Sequence, residues 1–109
     1  MSEQPIVRTT LLDQAVQFAT AHVEVRRITI EPSVALGRHV HNGPVFGSIE
    51  SGSAVFAVGD GPSTILRPGD IFHEPADVVV RFDATAEGVT FLGYFLLGAG
   101  DAPEIEFVD

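Results

Sequence analysis

The chain has 109 residues, which fits one compact domain and leaves little room for a second hydrophobic core. Hydrophobic residues make up 45% of it, too many for a disordered polypeptide. Fifteen acidic residues against six basic ones give a formal net charge of -9, which would repel a nucleic-acid backbone or an anionic membrane. We therefore expect neither nucleic acid nor a membrane as a partner.

No cysteine is present, so disulfides, thiolate metal sites and cysteine nucleophiles are all excluded. The first residues, Met1 to Pro5, lack the basic and then apolar segments of a signal peptide. No run approaches the ~20 apolar residues that a membrane helix requires. The sequence therefore predicts a cytoplasmic protein.

The first predicted element is one short helix over residues 10–19, where Leu11, Ala15 and Phe18 recur at helical spacing. From residue 21 onward, short apolar runs alternate with turns rich in Gly, Pro, Asp and Asn, at intervals too short for helices. These runs predict strands near 23–30, 36–40, 45–50, 54–58, 64–66, 71–74, 78–82 and 89–97.

Eight or nine strands without a long helix favour an all-β protein, built as a closed or double-sheet antiparallel barrel. The predicted organisation is an N-terminal arm over residues 1–20 and a barrel over residues 21–98. The acidic segment 99–109 is then a C-terminal tail or an edge strand.

Strong ligands are concentrated in one segment, where His39 and His41 stand on either side of Val40. Side chains alternate between the two faces of a strand, so residues two apart point the same way. Both imidazoles can therefore converge on one metal ion or one bound molecule. The pair predicts a small-molecule or metal site.

The residues around this pair resemble the first of the two motifs that mark cupins, a family of small barrels. That motif has a glycine, the His-x-His pair, a glutamate and a second glycine. Here Ser33 stands at the first glycine position, Val45 at the glutamate position and Gly52 at the second glycine position. In the second motif, Gly69 and Pro75 match, whereas three other positions differ: Asp77 replaces a glycine, Val80 a histidine and Ala84 an asparagine.

The resemblance covers about residues 23–97 and implies a single-domain cupin, a double-stranded β-helix or jelly-roll barrel. It also implies a homodimer, formed through the last strands and the N-terminal segment. Cupins usually hold one divalent metal ion with the two histidines and glutamate of the first motif and the histidine of the second. The resemblance therefore implies one divalent ion (Fe, Zn, Mn or Ni) on His39 and His41, with valine at the other two positions.

Two imidazoles alone do not complete a typical protein metal site, so another side chain has to serve as a ligand. His73 and Glu74 are the candidates, because they lie on the strand that enters the second motif. Neighbours on a strand face opposite sides, so at most one of them points into the barrel, and the sequence leaves open which one. We predict His39, His41 and His73 as metal ligands, and His39, His41 and Glu74 as catalytic residues.

The predicted function is the binding of a small, largely apolar organic molecule in the barrel, because Val45 and Val80 would make a cavity beside the histidines drier. In one hypothesis the protein is a metal-dependent enzyme, a dioxygenase or an isomerase, cyclase or lyase. In the other it is a binding or sensory module without metal or chemistry. One fold hosts many activities, so both hypotheses stay open at this point.

Overall fold

Seven strands make up the fold in residues 5–108, the part of the chain that the computed structural model describes. All of their pairings are antiparallel, and these residues contain no helix, so the predicted all-β antiparallel barrel is confirmed. In chain order the strands are β1 His22–Ile30, β2 Arg38–His41, β3 Val45–Val58, β4 Thr64–Leu66, β5 Ile71–Glu74, β6 Val80–Leu97 and β7 Ile105–Phe107.

The two longest strands, β3 and β6, form the centre of the sheet and pair with each other along most of their length. The sheet runs in the order β4-β3-β6-β2-β7, and in addition β1 pairs with β6 and β5 pairs with β3. Residues 89–97 of β6 pair with β1, and Val80 and Arg81 at its start pair with β2. This brings β2 and β5, which carry the candidate ligands, around the same interior.

The sequence predicts a break within each of these two strands, but the structure has bends there, so two pairs of predicted strands are single strands. Together with β7 in the C-terminal segment, this gives seven strands instead of the expected eight or nine. Gly52 has a φ of 73°, and the ladder shifts register on both sides of it. A Cβ at Gly52 would lie 2.0 Å from the carbonyl oxygen of Gly88, so only glycine permits this close approach of the two strands. The bulge therefore bends β3 without ending it.

The short helix expected over residues 10–19 is wrong, since residues 7–20 have no regular secondary structure. A helix of about ten residues is marginal in water unless its apolar face packs on a partner. Here the arm instead runs alongside the barrel, where Leu12, Val16 and Phe18 line a groove together with Phe72 and His73.

Two replaced motif glycines keep the backbone conformation that glycine favours. Ser33 has a φ of 64° and Asp77 a φ of 59°, and within residues 5–108 they are the non-glycine residues with positive φ. Both stand where the cupin motifs have glycine, and short polar side chains tolerate this region better than others do. The backbone thus supports the motif alignment at two positions where the residue type differs.

The core is apolar and rich in phenylalanine. Phe72, Phe82 and Phe91 pack with ring centroids 4.6 to 5.8 Å apart. A second cluster, made of Val45, Phe95 and Leu97, lies at the end of β6. No helix in the described residues is long and apolar enough to cross a membrane.

Candidate metal centre

The strand β2 directs both histidines into the barrel. Its burial alternates, with His39 and His41 only 2% and 8% exposed and Arg38 exposed. The two imidazole rings lie with their centroids 4.9 Å apart and nearly perpendicular to each other. The shared orientation that the His-x-His spacing predicts is therefore present.

Glu74 joins them from β5. Phe72, two residues earlier on the same strand, is part of the core, so the period of two places Glu74 on the interior face, where it is 4% exposed. Its Oε1 lies 3.1 Å from the Nε2 of His41, and its Oε2 lies 3.8 Å from the Nε2 of His39. One ligand atom from each of the three residues lies within 4.8 Å of the other two.

One atom in this cluster lacks a partner. The Oε2 of Glu74 is buried and accepts no hydrogen bond from the described residues, although a buried carboxylate oxygen without a partner is costly. A cation between Glu74 and the imidazoles would satisfy it. Two ligands of one tetrahedral zinc ion lie about 3.4 Å apart, close to the separations between Glu74 and the histidines.

The orientation of His39 also suits metal binding. Its Nδ1 lies 3.2 Å from the carbonyl oxygen of Gly37, to which a protonated Nδ1 donates. The lone pair is then on Nε2, the atom that faces Glu74. Such an outer hydrogen bond commonly fixes the tautomer of a metal-binding histidine. Two imidazole nitrogens and one carboxylate are a donor set that zinc and non-haem iron accept.

The carboxylate beside the two histidines, that of Glu74, comes from β5, whereas the glutamate position of the cupin motif lies on β3. Val45 occupies the motif's glutamate position, and the Cα partner of Val45 across the β3–β5 ladder is Glu74. Residues directly opposite each other in an antiparallel pair share one face of the sheet. Glu74 therefore presents a carboxylate beside the position from which the motif glutamate is missing. Val80, at the position of the motif's second histidine, is the cross-strand partner of His39 and only 1% exposed.

His73 is not brought to the pair. It lies on the opposite face of β5 and stacks on Phe46, with ring centroids 4.6 Å apart and planes 22° from parallel. Burial lowers the pKa of His73, an effect that the nearby Glu74 carboxylate partly offsets. The structure therefore places His73 away from the two histidines and Glu74 beside them. The alternation along β5 would have indicated this only if the sequence had shown that Phe72, two residues before Glu74, faces the core.

A cavity of about 480 Å³ adjoins the cluster. His39, His41 and Glu74 lie among its lining residues, and Arg26, Glu31 and Glu104 bring charges to it. The remaining wall is mainly apolar and includes Ile28, Ile30, Val34, Leu36, Phe82, Phe91 and Phe95. A small organic molecule with an apolar body fits a cavity of this size and lining.

Two polar residues outside the cluster fix the strands that border it. Asp83 accepts a hydrogen bond from the backbone N–H of Leu36 at 2.9 Å and holds the segment that leads into β2. Asn42 donates to the carbonyl of Ala102 and accepts from the N–H of Glu104, both at 3.0 Å. These bonds attach the C-terminal segment, whose strand β7 pairs with β2 beside the histidines.

Comparison with known structures gives the same architecture. A chain from crystal structures of DMSP lyases is 26% identical, with a TM-score of 0.65, over 78% of this chain and 44% of that chain. The DMSP lyase from Ruegeria pomeroyi DSS-3 is 18% identical, with a TM-score of 0.67, over 75% of this chain and 42% of the lyase. A cupin-like protein from Thermotoga maritima is 22% identical, with a TM-score of 0.66, over 75% and 62% of the two chains.

This chain thus spans less than half of the length of the two lyase chains. No curated protein matches the sequence at a significant level. The family model described as a cupin domain matches residues 26–92, more than half of the chain and most of the barrel. The chain belongs to the cupin family.

Proposed function

We propose that the protein is a metal-dependent cupin enzyme. One divalent transition-metal ion binds His39, His41 and Glu74, and the adjoining cavity holds a small, largely apolar organic substrate. The observation that carries this proposal is the buried Oε2 of Glu74, which has no hydrogen-bond donor and lies 3.8 Å from the Nε2 of His39.

Three protein ligands suit catalysis better than storage of the ion, because they leave coordination positions for water or substrate. When bound, the ion supplies a Lewis acid, and iron also supplies oxygen chemistry. The chain's own contribution is to hold the donors in place. The Gly37 carbonyl orients His39, and the apolar wall around Val45 and Phe95 restricts water.

Two reaction types follow from two different observations. The set of two histidines and one carboxylate is the arrangement found in non-haem iron oxygenases, which favours a dioxygenase. The 26% identity to a chain from structures of DMSP lyases favours a lyase, in which Glu74 would accept or donate a proton. Isomerase and cyclase activities use the same proton transfer and belong with the second type.

The metal analysis is the first test. Protein purified without chelator or affinity tag is expected to carry about one transition-metal ion per chain, measured by elemental analysis. His39→Ala and Glu74→Gln are both expected to lose it. His73→Gln is the matched control and is expected to retain the ion, since His73 faces away from the cluster.

Full metal content in Glu74→Gln, or its loss in His73→Gln, would overturn the assignment of ligands. Wild-type protein that stays metal-free after incubation with Fe(II), Zn(II), Mn(II) and Ni(II) would favour the second candidate, a binding or sensory cupin without metal. The observation in favour of that candidate is that valine replaces two of the usual cupin ligands, at positions 45 and 80.

A homodimer is part of the proposal. The outer face of the barrel carries a cross-strand row of Val25, Tyr94, Phe46 and His73. Val25 is 52% exposed and Tyr94 39%, which leaves apolar surface that a second copy would cover. Light scattering on wild type and Val25→Glu tests this, with a monomeric wild type as the contradicting result. The cytoplasmic location expected from the sequence stays a prediction for cell fractionation.

A further inference from the structure

We infer that the molecule held in the cavity carries one carboxylate group and that Arg26 binds it. This deepens the proposed function and rests on it for the use of the cavity beside His39, His41 and Glu74. It adds the class of ligand, a short monocarboxylate with an apolar body, and the residue that selects it.

The first observation is the placement of charge. The chain has six basic residues, all of them arginine and all within the described part of the chain. Arg26 alone among them lines the cavity. It lies on β1, where alternation also turns Ile28 and Ile30 towards the cavity, while its neighbour Arg27 faces outward and pairs with Glu50.

The second observation is the apolar surface beside Arg26. Its cross-strand partner on β6 is Gly93, which pairs in turn with Gly47 on β3. A Cβ at Gly93 would lie 3.0 Å from the Cε1 of Phe95 and 3.8 Å from the Cε2 of Phe91. Because glycine has no Cβ, the Phe95 ring can lie close to the backbone opposite Arg26 and forms the apolar surface beside the guanidinium group.

The third observation sets the length of the ligand. The Cζ of Arg26 lies 5.6 Å from the centroid of the Phe95 ring, and the centroid of the His41 ring lies 6.1 Å from the same point. Arg26 and His41, one of the candidate ligands, thus lie within about 6 Å of the centre of the same phenyl ring. A short molecule can reach from one to the other while its apolar part lies against Phe95.

Arg26 is also available for exchange of partners. At present it forms an ion pair with Glu24, two residues away on the same strand. Their side chains are 48% and 40% exposed, and pairs of this kind contribute little to stability. A planar guanidinium group binds a carboxylate through two parallel hydrogen bonds, and a carboxylate in the apolar cavity would be less screened than Glu24 is.

The other charges of the cavity limit the ligand to one carboxylate. Glu31 and Glu104 line it, and Glu74 lies at the metal centre. In the metal-free protein, a second carboxylate on the ligand would lie near one of these groups and be repelled. The apolar wall, including Val34 and Leu36, suits a hydrocarbon body instead.

The test is a titration with sodium butyrate, followed by calorimetry and by amide chemical shifts, on both chelator-treated and Zn(II)-loaded full-length protein. Acetate and hexanoate extend the series, butyramide is the neutral control and succinate the dianion. Arg26→Gln is expected to weaken binding of butyrate about 10- to 100-fold in both forms. Arg27→Gln, on the same strand but the outer face, is expected to bind as wild type does.

Glu24→Gln provides a result of opposite sign, because loss of the competing carboxylate is expected to strengthen binding of butyrate. Butyramide is expected to bind more weakly than butyrate in both forms, and succinate more weakly than butyrate in the chelator-treated form. The inference is overturned if no monocarboxylate binds wild type, if butyramide binds as well as butyrate, or if Arg26→Gln binds butyrate unchanged. Arg26-dependent binding to a protein that takes up no metal would instead refute the proposed function and leave this inference standing.

Discussion

Each face of β5 carries one buried polar atom without a hydrogen-bond partner within residues 5–108, but only one of the two atoms indicates a ligand site. On the inner face, the Oε2 of Glu74 is buried without a hydrogen-bond partner among the described residues, and on the outer face the same is true of the Nε2 of His73. Around Glu74 there are two imidazole nitrogens, whereas the ring of His73 lies flat against Phe46.

An unpartnered polar atom thus indicates a ligand only where other metal-ligating atoms lie around it. Around Glu74, the missing partner fits a cation that His39 and His41 would share. Around His73, stacking on Phe46 and partial burial account for the position of the ring, and the Nε2 is a cost to stability rather than a sign of function. Three changes test this comparison.

The largest effect is expected from Val45→Glu, which restores the carboxylate of the cupin motif beside Glu74. Val45 is 2% exposed, so without metal two adjacent buried carboxylates would repel each other and lower the free energy of unfolding by about 3 kcal/mol. Chemical denaturation with and without Zn(II) measures this, and we expect metal to restore most of the loss.

Val45→Gln is the matched control, because it buries a side chain of the same size without a charge. The difference between the two variants isolates the repulsion between carboxylates. If Val45→Glu is as stable as Val45→Gln in chelator, the side chain at position 45 does not face Glu74 and the proposed geometry is incorrect.

The next largest effect is the stabilisation expected when zinc binds at the inner face of β5. At a free Zn(II) concentration 100 times the dissociation constant, binding to the native state alone adds about 2.7 kcal/mol to the stability of the wild type. For a domain of this size the melting temperature then rises by roughly 10 °C or more. Differential scanning calorimetry is expected to show no such rise for Glu74→Gln and a full rise for His73→Gln. An equal rise in all three proteins would place zinc elsewhere.

The smallest effect is expected on the outer face. His73→Phe keeps a flat ring on Phe46 and removes the unpartnered nitrogen, so it is expected to raise the free energy of unfolding by about 1 kcal/mol. Metal content and zinc affinity are expected to stay as in the wild type. A loss of stability together with a loss of metal would mean that the two faces are not independent.

Much of the fold could be predicted from the sequence because strands leave a local signal. The strands at residues 64–66 and 71–74 were predicted with the bounds that the structure has, since turns rich in Gly, Pro and Asp stand beside both. At the bends in β3 and β6 the sequence predicts turns, because a glycine that permits a bulge cannot be distinguished in sequence from one that ends a strand. The helical spacing of Leu11, Ala15 and Phe18 predicts a helix that does not form, because so short a helix is marginal in water and the arm lies along the barrel in an irregular conformation.

Local sequence is enough to predict the barrel class and the common direction of His39 and His41, because strand alternation is a property of the local backbone. Which neighbour on β5 lies beside these histidines depends on the tertiary fold. Glu74 lies beside the two imidazoles because β5 pairs with β3 in the register that sets Glu74 opposite Val45. Pairing register depends on contacts between residues far apart in the chain, and a shift by one residue would have turned His73 inward instead.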